Sequence, residues 1–176
     1  MMTTNDRRVV FLDRDNTLNK DEGYFHDAAN VVLLPGVVEG LKKLRDAGFL
    51  LIAISNQSGV GRGYFPEADT IAVNKKLAEL LAEKGVRLEK VYYCPHKPED
   101  NCECRKPKPF LVFKAAGECG ADLAKSFFVG NHMNDIETGR NAGITAILVG
   151  SSEIPDLSAA ADNIIEHEKA RQSLQR

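Results

Sequence analysis

Val9-Val10-Phe11-Leu12-Asp13-Arg14-Asp15-Asn16-Thr17 is the stretch whose reading decides the fold. Its four apolar residues, β-branched and aromatic, predict a fully buried strand. The run stops abruptly at two aspartates one residue apart. A buried parallel strand delivers the residues after it to the carboxyl edge of its sheet, where open α/β folds bind ligands. Two carboxylates there repel each other unless a cation lies between them or one carries a proton. Taken alone, the stretch reads as well as a solvated Asp-Arg-Asp turn after an ordinary strand. Its surroundings decide.

Outward from it, residues 31–34 predict a short strand closed by Pro35-Gly36. Val37, Leu41 and Leu44 share one face of a helix expected over about 36–47, with Gly48 as its stop. A second buried strand is expected over 49–54. Pro66 fits the first turn of a helix striped by Val73, Leu77, Leu80 and Leu81. Further strands are expected at 88–93, 126–129 and 144–149. Between them lie a helix opened by Pro109, with Val112, Ala115, Ala116 and Cys119 inward, and a shorter one over 135–142. A further strand is expected near 162–165, then a polar helical tail. Strands alternating with helices imply a Rossmann-like three-layer α/β sandwich, a central parallel sheet covered on both faces by right-handed crossovers. Only short insertions separate the elements, so any cap is minimal. Residues 1–176 show no repeat or linker and read as one domain.

The net charge of −2, with both signs interleaved, gives no bulk argument for nucleic acid or membrane binding. No apolar run approaches the roughly 20 residues that span a bilayer. The first eight residues lack the apolar core of a secretory signal, so the expected compartment is the cytoplasm.

Three expected strand ends carry polar chemistry: Asp13/Asp15, Ser55/Asn56 and Asn131/Asp135. In a parallel sheet all three meet at one edge. Gly59, Gly61 and Gly63 come after the second, permitting tight turns and exposed N–H groups useful to an anion. Arg105, Lys106 and Lys108 add cations. Carboxylates, a hydroxyl, loop amides and a lysine together suit a phosphoryl group plus magnesium. Separately, Cys94-Pro95-His96, then five residues, then Cys102-Glu103-Cys104, supplies three thiolates and an imidazole. That set suits tetrahedral zinc with no open position, hence a structural ion fixing the loop ahead of Arg105 and Lys106. The alternative is three reduced cysteines in a loop.

On these motifs the chain resembles the haloacid-dehalogenase superfamily of phosphatases, over about residues 8–150. Within it, the chain is similar to the D-glycero-D-manno-heptose 1,7-bisphosphate phosphatases and the related histidinol-phosphate phosphatases. The resemblance implies Asp13 as nucleophile, Asp15 as general acid/base, and Ser55 and Lys106 as holders of the phosphoryl oxygens. It implies magnesium on Asp13, the Asp15 carbonyl and Asn131, with Asp135 in support, and zinc on Cys94, His96, Cys102 and Cys104. Substrate contacts fall on Asp21-Glu22-Gly23-Tyr24, Asn56, Gln57, Ser58, Arg105 and His132, the last standing where heptose enzymes often carry lysine. The implied reaction removes the 7-phosphate of the heptose bisphosphate through an aspartyl-phosphate, in lipopolysaccharide or nucleotide-heptose biosynthesis. The implied partner is a small phosphorylated sugar, and the expected state a monomer.

One position departs from the family. Asn131 stands where the pattern has aspartate, keeping an oxygen ligand but losing a charge. Natural tuning, an engineered inactivation and lost activity all fit, so a phosphosugar-binding protein with impaired turnover stays open, as does histidinol phosphate as substrate. Asn16 replaces a common glycine, and asparagine tolerates a left-handed backbone. Cys119 reads as core and Lys108 as solvated. His26 and His167 carry no firm role.

Overall fold

The computed structural model describes residues 7–174. The N-terminal residues behind the reading of no secretory signal lie largely outside that range, as do the last two of the polar tail. Among the described residues five strands form one parallel sheet: β1 (Val9–Leu12), β2 (Leu50–Asn56), β3 (Lys90–Cys94), β4 (Phe127–Gly130) and β5 (Thr145–Leu148). Their order is β3-β2-β1-β4-β5. The chain therefore winds outward from β1 in one direction, then returns to the other side. The crevice between β1 and β4 is the switch point at which such sheets bind ligands.

β1 is central, and all four of its residues are buried. Alternation sends Val10 and Leu12 to one face and Val9 and Phe11 to the other. On the first face lie α1 (Val37–Asp46), α3 (Glu67–Glu83) and α6 (Leu157–Leu174), bringing Leu41, Leu44, Leu77, Leu81, Leu157 and Ile164 into the core. On the second, α4 (Phe110–Cys119) and α5 (Met133–Ala142) bring Val112, Ala115 and Ala142. Both faces of the sheet are covered, as three layers require. A one-turn helix, α2 (Ser58–Gly61), comes directly after β2. The loops of residues 13–36 and 57–66 stand over the sheet edge in place of a larger cap. No helix of the described residues is long and apolar enough to cross a membrane.

Register brings the strand ends level. Leu12 pairs with Ala53 and with Val129, and Asp13 N–H donates to the Val129 carbonyl at 2.9 Å. Asp13, Ser55 and Gly130 thus share one edge.

Two expected elements differ. Residues 162–165 are not a strand but the middle of α6, because Leu157, Ala160, Ala161, Ile164 and Glu168 recur at helical spacing and are all buried. The Ile164-Ile165 pair is too short an apolar run to outweigh that period. Residues 31–34 form no named strand. Leu33 makes a single antiparallel bridge to Asn19, and Pro35 ends the run before it can extend.

Candidate active site

Lys106 is the centre of the edge. Its Nζ donates to Asp13 Oδ1 at 2.7 Å and to Asp135 Oδ1 at 2.6 Å, and all three side chains are buried. Asp13 comes from the end of β1 and Asp135 from the first turn of α5. Lys106 itself lies just past the cysteine loop. Its backbone is clamped by Asn56, whose amide accepts from Lys106 N–H at 3.0 Å and donates to its carbonyl at 3.1 Å. Asp135 is held in turn by the His132 N–H, at 3.1 Å. It lies so close over Gly130 that a Cβ there would sit 2.2 Å from its Oδ2, so only glycine fits.

Burial pushes the Asp13 carboxyl up to about 6, while Lys106 pulls it down and Asp135 adds to the rise. For Lys106, burial pulls downward, but the two carboxylates outweigh it and hold the ammonium above the usual lysine range.

Asp15 sits beside this group, and its carboxylate takes Arg14 and Gln57 as donors. Ser55 is fully buried and its Oγ accepts from Gln57 Nε2 at 3.1 Å. Asn131 can present either end of its amide. Nitrogen inward, it donates to Asp13 Oδ2 and the Asp15 carbonyl, both at 3.1 Å. Oxygen inward, it accepts from the Thr17 hydroxyl at 3.3 Å and meets those same two oxygens with no hydrogen between them. An octahedral magnesium shell, with bonds of about 2.0–2.1 Å, has edges of about 2.9 Å. With its oxygen inward, Asn131 stands about that edge from each of the other two oxygens, as ligands of one such ion would.

A cleft of about 370 Å³ opens above. Of the residues expected from sequence, its wall holds Asp13, Asp15, Asp21, Gly23, Tyr24, Asn56, Gln57, Ser58, Arg105, Lys106, His132 and Asp135. Glu22 points away and pairs with Lys20 at 2.6 Å. Ser55 and Asn131 lie behind the wall. Asp21 shapes the loop, its Oδ1 accepting from the N–H groups of Gly23 and Phe25 at 2.9 Å each. Tyr24 then adopts φ 54° and rests edge-on against Tyr64, 4.8 Å between ring centroids. Asn16, at φ 58°, takes the left-handed backbone expected of it, and its amide accepts from Asp21 N–H. His132 caps α5, its Nδ1 accepting from Asn134 N–H at 3.2 Å.

The sequence reading assigned no role to Arg14, Asn74, Tyr64 or Asn134. For Arg14 a signal existed: a cation between two aspartates at the end of a buried strand needs a buried partner.

The ligand atoms of Cys94, His96, Cys102 and Cys104 lie within 4.8 Å of one another, and Cys94 is buried. Burial holds the Cys94 thiol above its usual range. Three sulfurs and one imidazole nitrogen gathered this closely fit tetrahedral zinc. Cys119 stands apart, half-buried on α4, and the His167 ring packs on Phe127. His26 stacks on Phe65, and Lys108 binds Glu103 and the Cys102 carbonyl.

Among known proteins, the D-glycero-beta-D-manno-heptose-1,7-bisphosphate 7-phosphatase of Yersinia pestis is 37% identical over 167 residues, 89% of each chain. That of Pasteurella multocida is 40% identical over 144 residues, 78% of each. The chain belongs to the haloacid-dehalogenase-like phosphatases. The HAD-hydrolase-like family model matches residues 103–168, which include Lys106, Asn131 and Asp135. A solved family member, the D,D-heptose 1,7-bisphosphate phosphatase of B. bronchiseptica in complex with magnesium and phosphate, superposes with a TM-score of 0.82. It is 29% identical, and the match covers 91% of this chain and 99% of that one.

The buried Asp13 has a measurable consequence for stability. With its carboxyl at about 6 in the fold and 3.8 as the ordinary value, the folded chain keeps a proton in that window which the unfolded chain releases. Stability therefore falls as pH rises through it. Asp13→Asn carries no such charge. In chelator, its unfolding free energy relative to the wild type should improve between about pH 4 and pH 6, by about 3 kcal/mol at most, and stay level above. Urea melts across that range check it, and a difference that does not change with pH contradicts the account.

Proposed function

We propose that this phosphatase removes the 7-phosphate of D-glycero-D-manno-heptose 1,7-bisphosphate in a magnesium-dependent reaction, through an aspartyl-phosphate on Asp13. The observation that carries the reading is the strand-end carboxylate of Asp13, on the same sheet edge as Ser55, paired to a buried lysine and flanked by Asp15. Family membership supports the reaction, and the names of the relatives supply the sugar.

In the first step an Asp13 oxygen bonds to phosphorus as the ester P–O bond breaks. The departing sugar oxygen keeps the electron pair and takes a proton from Asp15. In the second, water bonds to phosphorus and gives its proton to the Asp15 carboxylate, while the bond between phosphorus and the Asp13 oxygen breaks and restores the free carboxylate. The Ser55 hydroxyl and the Lys106 ammonium hold the non-bridging oxygens. Asp13, the Asp15 carbonyl and Asn131, with Asp135 behind, would hold magnesium, which supplies charge neutralisation to the phosphoryl group when bound. Zinc on the cysteine loop would be structural, fixing the approach to Arg105 and Lys106. Tyr24, Ser58, Arg105 and His132 face the sugar and its second phosphate from the cleft wall.

Phosphate release from the two heptose bisphosphate anomers and from histidinol phosphate tests the assignment. The beta anomer, carried in the names of the relatives, should give the highest kcat/KM, and Asp13→Asn should abolish release. Faster turnover of histidinol phosphate would replace the sugar reading, and release by pure Asp13→Asn would remove the nucleophile.

Elemental analysis of protein purified without chelator should find about one zinc per chain, lost in Cys102→Ser together with a rise in KM. Metal-free protein with unchanged kinetics contradicts the structural ion.

Asn131 governs the magnesium requirement. Nitrogen inward, its amide already satisfies the Asp13 and Asp15 oxygens, so magnesium must displace two hydrogen bonds and gains no charge from residue 131. Asn131→Asp should lower the magnesium concentration for half-maximal phosphate release, on the order of tenfold for about 1.4 kcal/mol of added attraction. Identical titration curves would show that residue 131 is not a ligand.

A further inference from the structure

Arg14 is fully buried among the largest interior side chains. A buried guanidinium is tolerated only when paired, so its partners indicate what it does. Nε and Nη2 grip Asp15 as a fork, at 2.9 Å to Oδ1 and 3.0 Å to Oδ2. Nη1 donates to Asn74 Oδ1 at 2.9 Å, reaching across to α3. Nη2 also donates to Gln57 Oε1 at 2.9 Å and to the Phe25 carbonyl at 3.4 Å. With its oxygen so engaged, Gln57 turns its nitrogen toward Asp15 Oδ2 at 2.8 Å and Ser55 Oγ at 3.1 Å. Asn19 Nδ2 adds a fourth donor to Asp15, at 3.2 Å from Oδ1.

We propose that Arg14, braced by Asn74, is the positioning residue for the acid/base. It fixes the plane of the Asp15 carboxylate and, through Gln57, its distance from the Ser55 hydroxyl. The inference rests on the assignment of Asp15 as the acid/base. A planar fork sets the plane of a carboxylate, whereas a lysine would supply only charge. Asn74 is essential, because without it the guanidinium has no brace from the helical layer. Asp13 and Asp135 take Lys106 instead, so Arg14 serves Asp15 specifically.

A general acid matters in proportion to the basicity of the leaving oxygen. The test is therefore kcat/KM for a series of aryl phosphates of graded phenol acidity, measured on the full chain with magnesium. The wild type should depend only weakly on the leaving group. Arg14→Lys and Arg14→Met should each lose about 100-fold on the least acidic phenol and less than about threefold on the most acidic. Asn74→Ala, which touches neither carboxylate, should steepen the dependence in the same sense by about tenfold, and it carries the test if the Arg14 variants do not fold. Asp15→Asn is run beside them. A steep dependence for Asp15→Asn with lines parallel to the wild type for the Arg14 and Asn74 variants overturns the role of Arg14 alone. A weak dependence for Asp15→Asn overturns the acid/base assignment beneath it.

Discussion

One ammonium group between two buried carboxylates is the constraint on which the site depends. Without Lys106, Asp13 and Asp135 would face each other as uncompensated charges in the interior, an arrangement that costs several kcal/mol. With it, three parts of the chain far apart in sequence are tied at one point: the end of β1, the first turn of α5 and the loop leaving the cysteine cluster. Removing Lys106 leaves both buried carboxylates unpaired, and breaking such a buried pair typically costs about 3–5 kcal/mol, whereas removing one carboxylate leaves the ammonium paired with the other. The same pairing leaves Asp13 Oδ2 on the side of Asn131 and the Asp15 carbonyl.

Lys106 has to be delivered to that point by a loop, and loops do not hold position unaided. Two devices hold it. Asn56 closes a pair of hydrogen bonds on the Lys106 backbone, so the end of β2 fixes the lysine's height above the sheet. The Cys94, His96, Cys102 and Cys104 cluster gathers the segment just before it. The Gln57 N–H bond to the Cys94 carbonyl, at 2.7 Å, joins the two devices. The cleft is thus built on rigid elements below and on a stapled loop at one side.

Much of this was legible in the sequence. The buried run of β1 ending in two aspartates placed the edge, because apolar β-branched residues leave few alternatives. The alternation of strands and helices indicated the layers, and close spacing indicated the cysteine cluster. What stayed hidden depends on contacts distant in sequence. The place of Arg14 between two aspartates hints that it turns inward, but its partner Asn74 lies 60 positions on and cannot be read locally. Gln57 and Asn56 look like substrate contacts by position, yet both are engaged by protein partners as well as lining the cleft. The strand expected at 162–165 failed for a different reason: Ile164 and Ile165 belong to the helical period of Leu157, Ala160, Ala161 and Ile164, which contains them.

The central claim is that Asp13 carries the phosphoryl group between the two steps. Enzyme turning over its substrate can be quenched in acid and reduced with borohydride, which converts an aspartyl-phosphate to homoserine. Digestion and mass spectrometry then locate the change. The account predicts homoserine at residue 13 and at no other aspartate. Residue 13 recovered as unmodified aspartate while phosphate is released, or homoserine at residue 15 or 135, would contradict it.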